Sequence, residues 1–180
     1  MTAQSPPFRR GLMAGLFAAA LGLAETAVTT QQVTVQLAPN AKIAVPASFS
    51  LLTSGQNFVP FTGTLPVNYR ARSTPGGGGS ITLQVASDFS PSGGPSASSG
   101  ALTYTCSGAT LGTACSGWQT ATSSGQTPVV AIPPAACTGG GGACSSADPN
   151  SVQVHFVLEN SPEYTTGIYS AQLTLTISSI

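Results

Sequence analysis

From Gln32 onward the sequence is written mostly in alternation. QQVTVQL sets Val33, Val35 and Leu37 on one side of an extended chain. KIAVPASFSLL offers Ile43 and Val45, then Phe49 and Leu51, with Pro46 between the pairs. Proline cannot donate to a strand ladder, so this segment is an edge strand, a bulge, or a break between two short strands. GTLPVNYRARS aligns Leu65, Val67, Tyr69 and Ala71 on one face, with Arg70 and Arg72 on the other. SITLQVAS aligns Ile81, Leu83 and Val85, and ALTYTC is a short strand candidate. SVQVHFVLEN aligns Val152, Val154, Phe156 and Leu158, and IYSAQLTLTISS aligns Tyr169, Ala171, Leu173, Leu175 and Ile177. Successive strand side chains point to opposite faces, so period-two patterning rich in Val, Thr and aromatics is the strand signal. No helical stripe follows residue 24. About seven or eight short strands joined by Gly, Pro and Ser turns predict an all-β antiparallel sandwich of two packed sheets, with a partly open barrel as the alternative.

The first 24 residues break this pattern. Arg9 and Arg10 precede the apolar run GLMAGLFAAALGLA, and Gly22 and Ala24 are small. A basic start, a short apolar stretch and small residues at the end are the layout of a secretory signal, with cleavage expected after Ala24. The run is too short for a comfortable membrane span. The expected organisation is therefore a signal peptide at 1–24 and one β-sandwich domain at 25–180 of about 156 residues. Two segments lack periodicity, STPGGGGS at 73–80 and SPSGGPSASSG at 90–100, and both read as loose loops. A third irregular excursion covers 106–150. Within it TPVVAIPPAA predicts a short strand around Val129–Ile132, ended by Pro133 and Pro134.

Beyond residue 24 the charges are Lys42, Arg70 and Arg72 against Glu25, Asp88, Asp148, Glu159 and Glu163. Three scattered basic groups do not make a nucleic-acid footprint, nor a polybasic membrane patch. The polar surface has to come from Ser, Thr, Gln and Asn. This suits an exported, cell-surface or self-packing protein, with no stable membrane span once the signal is removed.

Cys106, Cys115, Cys137 and Cys144 form an even set in a chain read as exported, where disulfides persist. Three pairings are open. Local pairs, Cys106 with Cys115 and Cys137 with Cys144, are preferred because the glycines of TGGGGA let the chain turn back sharply. Nested pairs, Cys106 with Cys144 and Cys115 with Cys137, are the alternative. Zinc would want convergent ligands, often in CxxC pairs. A redox pair would want CxxC at a helix start, and a phosphate cradle would want GxxxxGK[ST]. None of these spacings occurs.

His155 is the only histidine. It falls out of phase with the apolar row of its segment and so belongs to the outer face. A nucleophile–base pair would need a serine or cysteine beside it and a carboxylate to orient it, and no GxSxG is present. Asp148 and Asn150 in SSADPNS fit a turn, with a calcium loop as the weaker alternative. Trp118, the lone tryptophan, either packs over the cysteine staple or stands out as a platform for a sugar. No catalytic, cofactor or metal residue is assigned.

The most specific segment is G167-I168-Y169-S170-A171-Q172-L173-T174-L175-T176-I177-S178-S179-I180. It resembles the closing strand of bacterial immunoglobulin-like surface modules, and the ends of fimbrial and spore-coat-U-type subunits. Gly167 stands fourteenth from the end, where chaperone–usher subunits often carry glycine. Ser179 stands where they usually carry tyrosine. The resemblance implies an immunoglobulin-like sandwich and a structural or adhesive role, with copies of itself or other surface proteins as partners. In such fibres an N-terminal extension adds a strand to the next subunit. ETAVTTQQVTVQL suits that role, although an ordinary first strand of its own domain is the simpler expectation. Val33, Val35, Leu37, Tyr169, Leu173, Leu175 and Ile177 are thus the candidate assembly residues. The expected function is a non-enzymatic secreted structural or adhesive protein, able to build a fibre. A small extracellular carbohydrate-binding or hydrolytic domain is the alternative.

Overall fold

The computed structural model describes residues 32–36, 40–53, 58–72, 76–134 and 149–179. The predicted signal segment, Leu37, Cys137, Cys144 and Asp148 lie outside them. Strands follow in chain order as β1 (Asn40–Ala44), β2 (Phe61–Arg72), β3 (Gly79–Ser90), β4 (Leu102–Ser107), β5 (Thr113–Ala114), β6 (Gln119–Thr120), β7 (Thr127–Ile132), β8 (Asn150–Leu158) and β9 (Ser170–Ser179). One short 3₁₀ turn, Ala97–Ser99, lies between β3 and β4. The strands form two antiparallel sheets packed against each other, an all-β sandwich. One sheet has the order β1-β2-β8-β4-β6 and the other β5-β7-β3-β9. The unit that contains them spans Gln36–Ile180.

Alternation decides which faces meet. In β2 the side chains of Leu65, Val67, Tyr69 and Ala71 are buried, while Thr62, Thr64, Pro66, Asn68, Arg70 and Arg72 are exposed. β8 buries Val152, Val154, Phe156 and Leu158 in the same way, and Ile81, Leu83 and Val85 of β3 face them from the other sheet. Phe156 sits at the centre, 5.2 Å from the ring of Phe49 and 5.6 Å from that of Tyr104.

Two tyrosines carry hydroxyls into this apolar layer. Tyr104, on β4, reaches the other sheet, its oxygen 2.7 Å from Thr127 Oγ1 and 2.9 Å from the Pro128 carbonyl. Tyr69, on β2, donates to the Leu111 carbonyl and accepts from the Leu111 N–H at 3.3 Å. One side chain thus satisfies both backbone groups of a buried loop residue. Burial raises both phenols above their ordinary value, and the hydrogen bonds to Leu111 and to Thr127 pull the other way.

Pro66 sits inside β2 without breaking it. Thr62 exchanges both backbone hydrogen bonds with Leu52, each at 2.8 Å. Pro66, four residues on, therefore turns its nitrogen to the same side. There the ladder is interrupted, because β1 pairs only with Asn68–Arg72. Pro46 makes that gap. β1 ends at Ala44, and the chain touches β2 again only through the Leu52–Thr62 bridge. The expected second half-strand at Phe49 and Leu51 is thus a single crossing. Leu51 passes so close to Gly63 that a β-carbon there would meet its Cδ2 and the Ser50 carbonyl, both at 2.7 Å.

Three expectations are corrected. Residues 32–36 belong to no strand; the position beside β2 that a first strand would take is held by Asn40–Ala44. The 90–100 segment is not loose. The Asp88 carboxylate accepts from the backbone N–H of Phe89 at 2.8 Å, that of Ala97 at 2.7 Å and the Ser96 hydroxyl at 2.5 Å, and Ala97 is buried in the core. Burial opposes the charge of Asp88, but the hydrogen bonds outweigh it and hold the carboxyl below its ordinary value. The excursion at 106–150 holds β7 where a strand was expected around Val129–Ile132, and also the two short strands β5 and β6, which were not expected.

Tyr69→Phe is expected to leave both Leu111 backbone groups without their partner, at roughly 1–3 kcal/mol. Urea denaturation should show a lower midpoint at unchanged slope. The raised phenols also set an alkaline limit. Below about pH 10 the unfolded tyrosines are neutral and nothing is lost. Above that, the unfolded chain releases protons that the folded one retains, so stability falls until the folded-state phenols ionise. The Phe variant should lose less stability over that range than the parent.

Candidate functional site

β9 is bonded on one side only. Its register with β3 runs from Gly79↔Ser179 to Ser90↔Ser170, and no described residue pairs with its other edge. Its inward row is Ala171, Leu173, Leu175 and Ile177, each half-buried, whereas the facing rows of β2, β3 and β8 are sealed. Leu175 lies directly across from Leu83, yet Leu83 is fully buried. The difference comes from position, because β3 has neighbours on both sides. Exposed edges are usually blunted by lysine, proline, bulges or short length. β9 is ten residues long, SAQLTLTISS, with no charge and no proline. β1, the edge of the other sheet, does carry Lys42 and is followed by Pro46.

Among the predicted assembly residues, Leu173, Leu175 and Ile177 therefore share one half-open row. Tyr169 stands just before β9. Its hydroxyl donates to the Thr165 carbonyl at 2.6 Å and lies 2.7 Å from Thr165 Oγ1, which ties the loop in front of the strand. Val33 and Val35 are 84% and 72% exposed.

In comparisons with known proteins, the chain matches no protein family and no curated sequence.

The other candidates fall elsewhere. Cys106 and Cys115 are bonded to each other, with Cα atoms 5.2 Å apart. This is the local pairing, and it joins β4 to the residue after β5. Trp118 follows that staple and is 66% exposed, so it stands out from the surface instead of packing over the disulfide. His155 projects from the outer face of β8 between two hydroxyls. Thr64 Oγ1 is 3.0 Å from its Nδ1 and Ser107 Oγ is 2.8 Å from its Nε2. Ser107 and His155 have nucleophile–base spacing, but the group that orients the ring is a threonine hydroxyl where that chemistry uses a carboxylate. Asn150 is wholly buried, and its Oδ1 accepts from Thr110 at 3.3 Å. It starts β8 inside the core and is not on the turn that a calcium loop would use.

Sequence reasoning had no signal for the partners of His155, which come from strands 91 and 48 residues away. The 159–169 loop was equally silent. There Tyr164 has its phenol pushed up, by partial burial first and then by the carboxylates of Glu159 and Glu163.

Truncating opposed leucines measures how open the edge is. Leu83→Ala should cost about 2–5 kcal/mol, and Leu175→Ala roughly half as much, by chemical denaturation of the monomer. Equal costs would mean that β9 is sealed. Replacing Cys106 and Cys115 together with serine should cost roughly 2–3 kcal/mol, the scale of a short closed loop, read as a lower thermal midpoint with the native circular dichroism retained.

Proposed function

We propose that the chain is an extracytoplasmic structural protein that assembles with copies of itself by strand addition at β9, giving a surface or matrix fibre. The observation that carries this is the half-buried row Leu173, Leu175 and Ile177 on an uncharged, unpaired edge. A second feature fits it: an alternating segment with exposed Val33 and Val35. Strand order supports the immunoglobulin-like expectation. In immunoglobulin constant domains one sheet runs A-B-E-D and the other C-F-G. Here β1-β2-β8-β4 follows the first order, and β3-β9 follows C-F with the G position, beside β9, empty among the described residues. Residues 25–38 of a second copy have the length and the alternation to fill it, bonding main chain to main chain along the edge. The hydroxyl-rich, charge-poor surface suits close packing between copies.

A second reading rests on Trp118. An exposed indole beside a disulfide-stapled loop is a rigid stacking surface, and a neutral glycan is its natural ligand class. Loss of glycan retention on Trp118→Ala, with stability changed by no more than about 0.5 kcal/mol, would favour that reading.

Size analysis of the chain from Glu25, oxidised, should show ladders or filaments. Removing residues 25–38 should leave a folded monomer that no longer polymerises but still caps the growth of the parent. Unfolding on that deletion, or undiminished assembly, overturns strand donation.

A further inference from the structure

The pairing pattern gives the domain two unlike ends. Phe61 lies beside Leu158 and Tyr69 beside Asn150, so the close of β2 and the start of β8 share one end. Glu159 lies at the other, about 30 Å away at 3.3 Å per residue.

The first end is basic. Lys42 and Arg70 are direct cross-strand partners, and Arg72, opposite Asn40, is next on the same exposed face. These are all the lysines and arginines among the described residues.

The second end carries two acids and several exposed apolar side chains. Glu159 follows the last residue of β8, and Glu163 precedes Tyr164 in the loop beyond it. Asn160 Nδ2 donates to the Val59 carbonyl at 3.0 Å, holding the 58–60 backbone against the same loop. Leu52, Phe58, Val59 and Ile168 all point out, Ile168 being 93% exposed. Phe58 has φ 62°, a conformation that a bulky residue rarely takes. Exposed apolar side chains with charged groups at the same end have the make-up of an interface.

We infer that the basic end of one copy docks on the acidic, apolar end of a second copy, head to tail. This rests on the self-assembly reading above and specifies its polarity. The occupant is a second copy because the chain itself supplies both complementary charges. The chain enters β1 at Asn40, opposite Arg72, so the segment before β1 is tethered at the basic end. β9 starts at Ser170, opposite Ser90, next to the acidic loop. Docking therefore delivers that tether to the start of the neighbour's β9, and a segment laid along the edge from there runs antiparallel to β9, matching the rest of the fold. A head-to-tail contact of this kind propagates as an open filament. Exposed ion pairs add little affinity; here they orient the encounter and set its rate.

The test uses the oxidised chain from Glu25 and follows elongation by light scattering and microscopy. Two variants reverse one end each, K42E/R72E and E159K/E163K, and a third carries all four changes. The parent should elongate more slowly as salt rises past the screening range. Each single-end variant should elongate at least tenfold more slowly at low salt, and the fourfold variant should recover most of the parental rate. Mixing the two single-end variants should give alternating growth. Circular dichroism and melting check that each variant folds. Parental rates in the single-end variants, or no recovery in the folded fourfold variant, overturn the head-to-tail docking and leave strand addition standing. A parent that stays monomeric at every salt concentration overturns both.

Discussion

A phenol hydroxyl carried into an apolar layer has to find its hydrogen bond there, and in this protein that requirement locks the two sheets together. Tyr104 comes from one sheet and ends on Thr127 and Pro128 of the other. An unpartnered hydroxyl in such a layer would cost on the order of 1–3 kcal/mol, so sliding one sheet over the other is penalised beyond the loss of apolar contact. Tyr69 extends the constraint to the connection between the sheets, because both backbone groups of Leu111 end on its oxygen. The Cys106–Cys115 bond closes the same region covalently. Sheet separation, the 108–115 connection and the placing of β7 are thus one coupled arrangement.

Once the sheets are locked, their edges are determined. β6 and β5 are two residues each, too short to template another chain. β1 is five residues long with a lysine at its centre. β9 has neither protection, and its inward leucines are half covered. The rigidity that seals β3 also prevents β9 from rolling inward to cover itself, since its register with β3 holds it at the rim. A soft sandwich could collapse over that row. A locked one presents it, and the strand addition proposed above would cover it and satisfy the backbone groups as well.

Much of this was legible in the alternation. β2, β8 and β9 were read with the correct faces, because a half-buried strand in a two-sheet sandwich has to alternate and a long one repeats the signal. The outward phase of His155 and the local cysteine pair were legible for the same local reasons. What the sequence hid was non-local. Nothing in SPSGGPSASSG announces that Asp88 will collect its N–H groups, or that Thr165 will bond Gly93 from 72 residues away. QQVTVQL alternates as cleanly as β2 does. Whether it pairs depends on whether an edge is free, and Asn40–Ala44 already occupies the nearest one. The row on β9 was readable as apolar; that it would be only half covered follows from topology, which period-two patterning does not contain.

Sparse charge makes the few charges consequential. Apart from Lys42, Arg70, Arg72 and the half-buried Val157, the outer face of the five-stranded sheet presents Thr62, Thr64, Asn68, Thr105, Ser151 and Gln153, groups that water satisfies well and that offer another copy little apolar area or field. Sideways association through that face gains little. Contact between copies is left to the places where the surface departs from this neutrality: the open edge of β9 and the two oppositely charged ends. The charged ends lie along the strand direction, whereas the β9 edge faces sideways, so in the proposed assembly the ends set the axis of growth and the edge takes the donated strand alongside it. In the proposed assembly a surface built mainly from hydroxyls has a physical role of its own, since it would leave the flanks of a filament unattractive while the ends stay reactive.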